Sequence, residues 1–257
     1  MSLQLQFKER LHAGGIHLLL SLAVAASVTV LVFGFWFPGA YREFAGGTHL
    51  LLLVMAVDVT LGPLLTFAVF DRRKGRSHLR RDVATIAVLQ LAALSYGLYT
   101  VHQARPVALV FEQDRFRVIA AADVLEKELN DALPELRELP LNGPRMIAVR
   151  KATPGAERNQ SLMTAVMDGV DTSQRPSFWI PYGPEERRAA RQGARPLAAL
   201  MKHYPAENES IQNDLRAMGI TQEATARFLP VRARKDAVAV LKEDGTVAGF
   251  LMLDGYF

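Results

Sequence analysis

The residue least expected for its surroundings is Asp58, set in Ala56-Val57-Asp58-Val59-Thr60-Leu61-Gly62-Pro63-Leu64-Leu65 near the middle of a long apolar run. A carboxylate at the centre of a bilayer costs about 2.5–3.5 kcal/mol on insertion scales, so it must face a partner or hold its proton. Three chemistries follow. Asp58 can hydrogen-bond across a helix bundle to a donor at similar depth, for which the chain offers Ser27, Thr29, Gln90 and Ser95. It can meet a group on another membrane protein, or it can handle protons or ions. Pro63 has no amide hydrogen, so it should kink this helix and free a carbonyl near Val59. Asp58 and Pro63 are therefore candidate partner-binding residues.

Acid catalysis inside a membrane needs two carboxylates sharing a proton. Asp71 and Asp82 fall at the ends of apolar runs, away from Asp58, and no Gly-x-Gly-Asp string occurs. The histidines are His12, His17, His49, His78, His102 and His203; none makes the i, i+4 pair of a helical metal site. Five of them lie near the boundaries of apolar runs, where amphipathic rings settle. There is no cysteine, which removes disulfides, thiolate metal sites and thiol nucleophiles. Gly-x-Ser-x-Gly, Walker and dinucleotide strings are absent. The expectation is a protein that is not an enzyme, with no catalytic residue, no metal and no cofactor. Two further stretches stand out. The charged run from Glu185 to Arg191 reads as a solvated helix face with i, i+3 and i, i+4 pairing. Phe178-Trp179-Ile180-Pro181-Tyr182 reads either as core or as an exposed aromatic patch. On the second reading Phe178, Trp179 and Tyr182 are partner-binding residues, because aromatic anchors dominate protein interfaces.

The elements that must position Asp58 are three apolar runs, at about 16–37, 48–70 and 83–101. Each is long enough to cross a hydrocarbon core of about 30 Å at about 1.5 Å per helical residue. The first ends on Phe35-Trp36-Phe37, aromatic residues suited to a membrane interface. Ala23-Val24-Ala25 resembles a leader-cleavage site, but the run continues past it, so a retained anchor is expected. The connection at 71–82 holds six basic residues and that at 38–47 only Arg42, an asymmetry that places 71–82 and the N-terminus in the cytoplasm.

Net charge is +4 and the pI about 9.5, values that would suit a nucleic-acid binder. Residues 1–102, however, carry nine Lys/Arg against five Asp/Glu, whereas residues 103–257 carry 21 of each. The excess belongs to the membrane half, where it sets topology, so the expected partners include the lipid bilayer and exclude nucleic acid.

After about residue 102 the pattern changes to short elements. A hairpin is expected over 107–119, a helix over 123–133, a strand over 146–149, and helices over 155–167, 184–192, 196–204 and 206–218. A closing hairpin turns at Asp244-Gly245 between strands at 237–241 and 246–253. The expected fold is thus a membrane protein: a three-helix transmembrane domain over 1–102, then a periplasmic α+β domain over 103–257, large enough to carry its own core and to unfold as a unit.

Phe35-Trp36-Phe37-Pro38-Gly39, Val57-Asp58-Val59-Thr60-Leu61-Gly62-Pro63-Leu64-Leu65-Thr66, and the passage from Leu91-Ala92-Ala93-Leu94-Ser95-Tyr96-Gly97-Leu98-Tyr99 to Gln103-Ala104-Arg105-Pro106-Val107 together resemble the TfpX/TfpZ family of type IV pilin accessory proteins. The likeness is sharp over about residues 30–120. It implies a bacterial inner-membrane protein whose partner is the major pilin, assisting pilin stability or assembly into fibres, and it brings no catalytic residue. A membrane sensor with a ligand-binding periplasmic domain is the alternative, although its cytoplasmic side would offer only the 71–82 loop and a short N-terminus.

The charge asymmetry gives a direct test. Alkaline phosphatase, which is active only after export, should be active when fused after Tyr99 or at Phe257 and inactive when fused after Arg76; the reverse pattern overturns the orientation.

Overall fold

The computed structural model describes residues 3–70, 75–167, 169–221 and 225–257. Three of its helices are long and apolar enough to cross a membrane, over Phe7–Trp36, Gly47–Val69 and Ser77–Gln103. Helix α1 (Leu3–Leu31) runs into a π-helical turn over Val32–Trp36. A single turn, α2 (Tyr41–Phe44), leads to α3 (Gly47–Val69), and α4 (Arg76–Gln103) follows. The third helix begins earlier than its apolar run because the break is Gly75, held at φ +82°, and the basic residues after it form the first turns of α4. Of the 71–82 connection, residues 71–74 lie outside the described residues.

The remainder is a mixed sheet with helices. Its strands are β1 (Pro106–Glu112), β2 (Arg115–Ala120), β3 (Arg145–Val149), β4 (Trp179–Pro181), β5 (Arg195–Pro196), β6 (Arg227–Arg232), β7 (Ala237–Leu241) and β8 (Val247–Leu251). Their order is β4-β3-β1-β2-β6-β7-β8, with β5 beside β6. The β1/β3 and β2/β6 pairs are parallel and the others antiparallel. Helices α5 (Ala156–Met167), α6 (Pro184–Gly193), α7 (Leu197–His203) and α8 (Asn208–Ala217) complete the domain.

One local expectation changes, and one strand was not expected. The helix expected over 123–133 is instead a series of 3-10 turns, including Ala121–Asp123 and Glu126–Asp131. The amide of Leu125 donates to Gln174 O (2.8 Å), across to a distant segment rather than along a helix. Strand β6 was hidden by Pro230, which removes a ladder donor and normally argues against an interior strand. Here β6 changes neighbours at that proline, pairing Arg227 and Phe228 with β5 and Val231 and Arg232 with β2.

The period-two alternation of the strands sorts their side chains onto two faces. In β7, Val238 and Val240 join Leu197, Leu200, Ile211 and Leu215 of α7 and α8, whereas Ala237, Ala239 and Leu241 point the other way. In β1, Leu109 and Phe111 share that second face, and Val107, Ala108 and Val110 pack on Leu136 and Trp179. What covers the second face is the end of the helix bundle: Phe37 and Phe44 are fully buried in one cluster with these strands, together with Val28, Val32, Leu51 and Val101. The Tyr41, Phe44 and Phe250 rings meet at centroid distances of 4.9–5.4 Å. Backbone bonds from Gly143 N to Phe35 O (2.7 Å) and from Lys235 N to Phe44 O (3.0 Å) seal the junction. Burial raises the Tyr41 phenol pKa above its ordinary range.

Helix α4 ends at Gln103 and β1 begins at Pro106, and the sheet's second face is completed by residues that precede both. Autonomy of the segment 103–257 therefore meets a physical obstacle, since excision bares that face. Replacing Phe44 by Ala should cost the full chain about 3–5 kcal/mol, and the excised segment should melt well below the full chain in detergent. Equal melting of the two would mean that the bundle end contributes nothing to this core.

Candidate functional site

Asp58 lies at the midpoint of the 23-residue α3 and is 9% exposed. Gln90 of α4 reaches it: Nε2 donates to Asp58 Oδ1 (3.1 Å) and to the Asp58 backbone oxygen (3.2 Å). The other candidate donors do not. Ser27 and Thr29 donate to carbonyls of their own helix, Ala23 O and Ala25 O, and Ser95 lies on the exposed face of α4. Among the described residues no cation pairs with Asp58, so an amide is its in-chain answer.

Gly62, one turn beyond Asp58, makes this contact possible. A Cβ at that position would overlap the Gln90 amide. Residues i and i+4 share a helix face, so the glycine leaves room beside the very side chain that needs a partner. This requirement was not drawn from the sequence, where a glycine four residues after a buried carboxylate was its only signal. Pro63 sits inside α3, and its own carbonyl faces the point where Gly14 of α1 comes within close-packing distance. Near the far end of the bundle, His17 Nδ1 meets Thr66 Oγ1 at 2.5 Å, so this histidine ties α1 to α3 as well as sitting near an apolar boundary.

Helices α1 and α4 both pack along α3 and barely touch each other. They meet next to the sheet domain, where Trp36 stacks edge-on against His102 at 5.1 Å. Farther down they leave a groove of about 500 Å³ whose walls include Leu20 and Val24 of α1 and Leu91 and Leu94 of α4, with Asp58 and Gln90 among its lining. A second groove of about 420 Å³ lies between α3 and α4 and also reaches Asp58 and Gln90. The polar pair is thus the partition between two hydrocarbon-lined grooves, each of which would open to lipid.

The aromatic stretch is placed differently from its reading as an exposed patch. Phe178 and Trp179 are buried, at 1% and 4% exposure, and are core residues. Trp179 Nε1 donates to Ser173 O (2.8 Å). The Phe178 ring lies under two guanidiniums, Arg150 at 4.5 Å and Arg175 at 4.8 Å from its centroid. Each is balanced by a carboxylate. Arg150 hydrogen-bonds Glu157 and draws its pKa down to about 2. Burial would raise the Glu128 carboxyl, but hydrogen bonds from Arg175 and Ser177 outweigh that and hold it below its ordinary range. Tyr182 is half-buried and its hydroxyl donates to Gly245 O (2.9 Å); burial raises its pKa. None of the three offers a free aromatic face of the kind an exposed patch requires. The 185–191 run is α6, whose Ala190 is buried against the bundle-side cluster. Among the described residues no three His, Asp or Glu side chains converge as a metal site would require.

Three helices long and apolar enough to cross a membrane, with a polar pair at mid-depth and a mixed-sheet domain joined to them through shared core, define the class of protein. Comparison with known proteins narrows this class. The chain is 35% identical over 245 residues to the fimbrial assembly protein of serogroup I of Dichelobacter nodosus, covering 94% of each chain, and 34% identical over the same length to the serogroup E1 protein of that organism. The protein of serogroups C1 and C2 is 42% identical over 118 residues, 46% of this chain and 90% of that one. The model of the fimbrial assembly protein FimB family matches residues 5–46. The chain belongs to the fimbrial assembly protein family. No solved structure matches it.

The Gly62–Gln90 fit can be measured. Gly62→Ala should cost about 1–3 kcal/mol through overpacking, and most of that cost should vanish when Gln90 is also truncated to Ala, as a double-mutant cycle reads it. Additive effects would mean that the glycine serves something other than the Asp58–Gln90 contact.

Proposed function

We propose that this chain is a non-enzymatic accessory factor of type IV fimbrial biogenesis, seated in a bacterial inner membrane, that holds a pilin by its apolar helix before the subunit enters the fibre. The observation that carries this reading is the Asp58–Gln90 pair standing between two open apolar grooves. A carboxylate answered only by a neutral amide retains acceptor capacity, and in hydrocarbon that capacity favours a passing helix that brings a donor or a positive charge. The names of the relatives and the likeness of residues 30–120 to TfpX/TfpZ proteins support the fimbrial setting. The cationic 71–82 connection supports a cytoplasmic N-terminus and a periplasmic sheet domain. A pilin waiting in the membrane has a helix in lipid and a head outside, so a factor of this shape meets both. Two weak contacts on one scaffold gain effective concentration without either being tight.

Substitutions at Asp58 separate hydrogen bonding from charge. Asp58→Asn keeps size and hydrogen bonding, whereas Asp58→Leu removes both. Pilus assembly in cells should be largely preserved with Asn and impaired with Leu, by about 1–2 kcal/mol of helix association at most. If Asn is as damaging as Leu at normal protein levels, the charge or its proton is what counts, and the packing role fails.

A further inference from the structure

Where the bundle meets the sheet domain there is a third cavity, of about 350 Å³, whose lining includes Arg117, Arg232, Arg234, Asp123, Ala45 and Ala104. Its position follows from the helices. Ala45 lies two residues before the start of α3, and Ala104 directly follows the end of α4. A helix of 23 residues is about 34 Å long, enough to cross the hydrocarbon and finish in the headgroup layer. With α3 and α4 in a bilayer, this cavity therefore opens at the depth of lipid phosphates.

Its charge is uneven. Arg117 is committed, hydrogen-bonded to Asp171 and to Ser173 Oγ (3.3 Å). Asp123 Oδ2 accepts from the Ala120 amide (3.3 Å). Lys235 lies 3.5 Å from Glu43. Arg232 and Arg234, both exposed, have no carboxylate within ion-pair distance among the described residues. The stem of Arg234 runs across Gly46, where a side chain would collide with its Cδ at 2.7 Å; Gly46 holds φ +85°, which few other residues adopt. The start of α3 lies alongside, and the positive end of a helix favours an anion there. Two unanswered guanidiniums in a concave site call for a planar or tetrahedral oxyanion, which arginine grips in a bidentate fashion.

We propose that this cavity binds the phosphate of an anionic phospholipid headgroup through Arg232 and Arg234, fixing the height of the sheet domain above the bilayer. The ligand lies in the plane of the membrane and would dock from the side, without leaving its leaflet. The grip acts where the domain is already joined to the bundle, so it braces that junction.

The full chain, purified and placed in nanodiscs, supplies the test. Nanodiscs of phosphatidylcholine alone are compared with nanodiscs in which part of the lipid is phosphatidylglycerol, reading the melting temperature and the lipid retained in native mass spectrometry. The wild type should melt higher with phosphatidylglycerol and retain it selectively. Arg232→Gln with Arg234→Gln, at exposed positions, should keep its melting temperature in phosphatidylcholine and lose the phosphatidylglycerol preference by about tenfold or more. An unchanged preference in the double variant, or none in the wild type, overturns the proposal. Inorganic phosphate and glycerol phosphate added to phosphatidylcholine nanodiscs form the second arm. They should leave the melting temperature unmoved, and a full shift from either would assign the cavity to a soluble phosphate and overturn the lipid source. If the double variant melts low even in phosphatidylcholine, its lipid retention still decides: loss of the phosphatidylglycerol preference seen in the wild type upholds the proposal, and an unchanged preference sinks it.

Discussion

A carboxylate in hydrocarbon has no water to bond, so with α3 in a bilayer an ionised Asp58 needs a partner to answer it. That constraint organises the bundle. Gln90 supplies the answer from α4, Gly62 clears the space for its amide, and the resulting bridge fixes the rotation of α4 about its axis relative to α3. Helix α1 is held to α3 by other means, through the close approach at Gly14 and the His17–Thr66 bond. Two separate attachments to one central helix leave α1 and α4 apart over much of their length, and the groove between them is the consequence.

The second constraint acts at the other end of the bundle. A sheet buried on only one face needs water on the other, yet β7 alternates apolar residues on both. Phe37, Phe44 and the ends of α1, α3 and α4 provide the missing cover. The bundle and the sheet domain thus share a core, and a helix resting in a groove would stand in a set relation to the surface of the domain. On the proposed function, this coupling would let one chain address both the membrane and the water-exposed part of a subunit.

Much of this was legible in the sequence, and the limits have physical causes. Twenty-residue apolar runs have no alternative fold in water, so the three helices and the α+β character of the rest emerged directly. Asp244-Gly245 placed the last hairpin through its turn chemistry. Strand β6 was illegible because Pro230 obeys the rule against interior strands until the change of neighbours is known. Phe178 and Trp179 have the same composition in a core as in a patch, and only the clamp of Arg150 and Arg175 decides between them. Four donors lay at the depth of Asp58, and choosing Gln90 required the rotation of each helix, which hydropathy does not encode.

The central claim, that the groove between α1 and α4 receives a subunit helix, is open to a direct chemical measurement because the chain has no cysteine of its own. Single substitutions Val24→Cys and Leu91→Cys place thiols on the groove walls, whereas Leu52→Cys and Leu64→Cys place them on exposed faces of α3 outside both grooves. Paired in cells with a pilin carrying one cysteine in its apolar helix and crosslinked by a short bismaleimide, positions 24 and 91 should give mixed adducts and positions 52 and 64 should not. Adducts of equal yield from all four positions, or from 52 and 64 alone, would contradict the account.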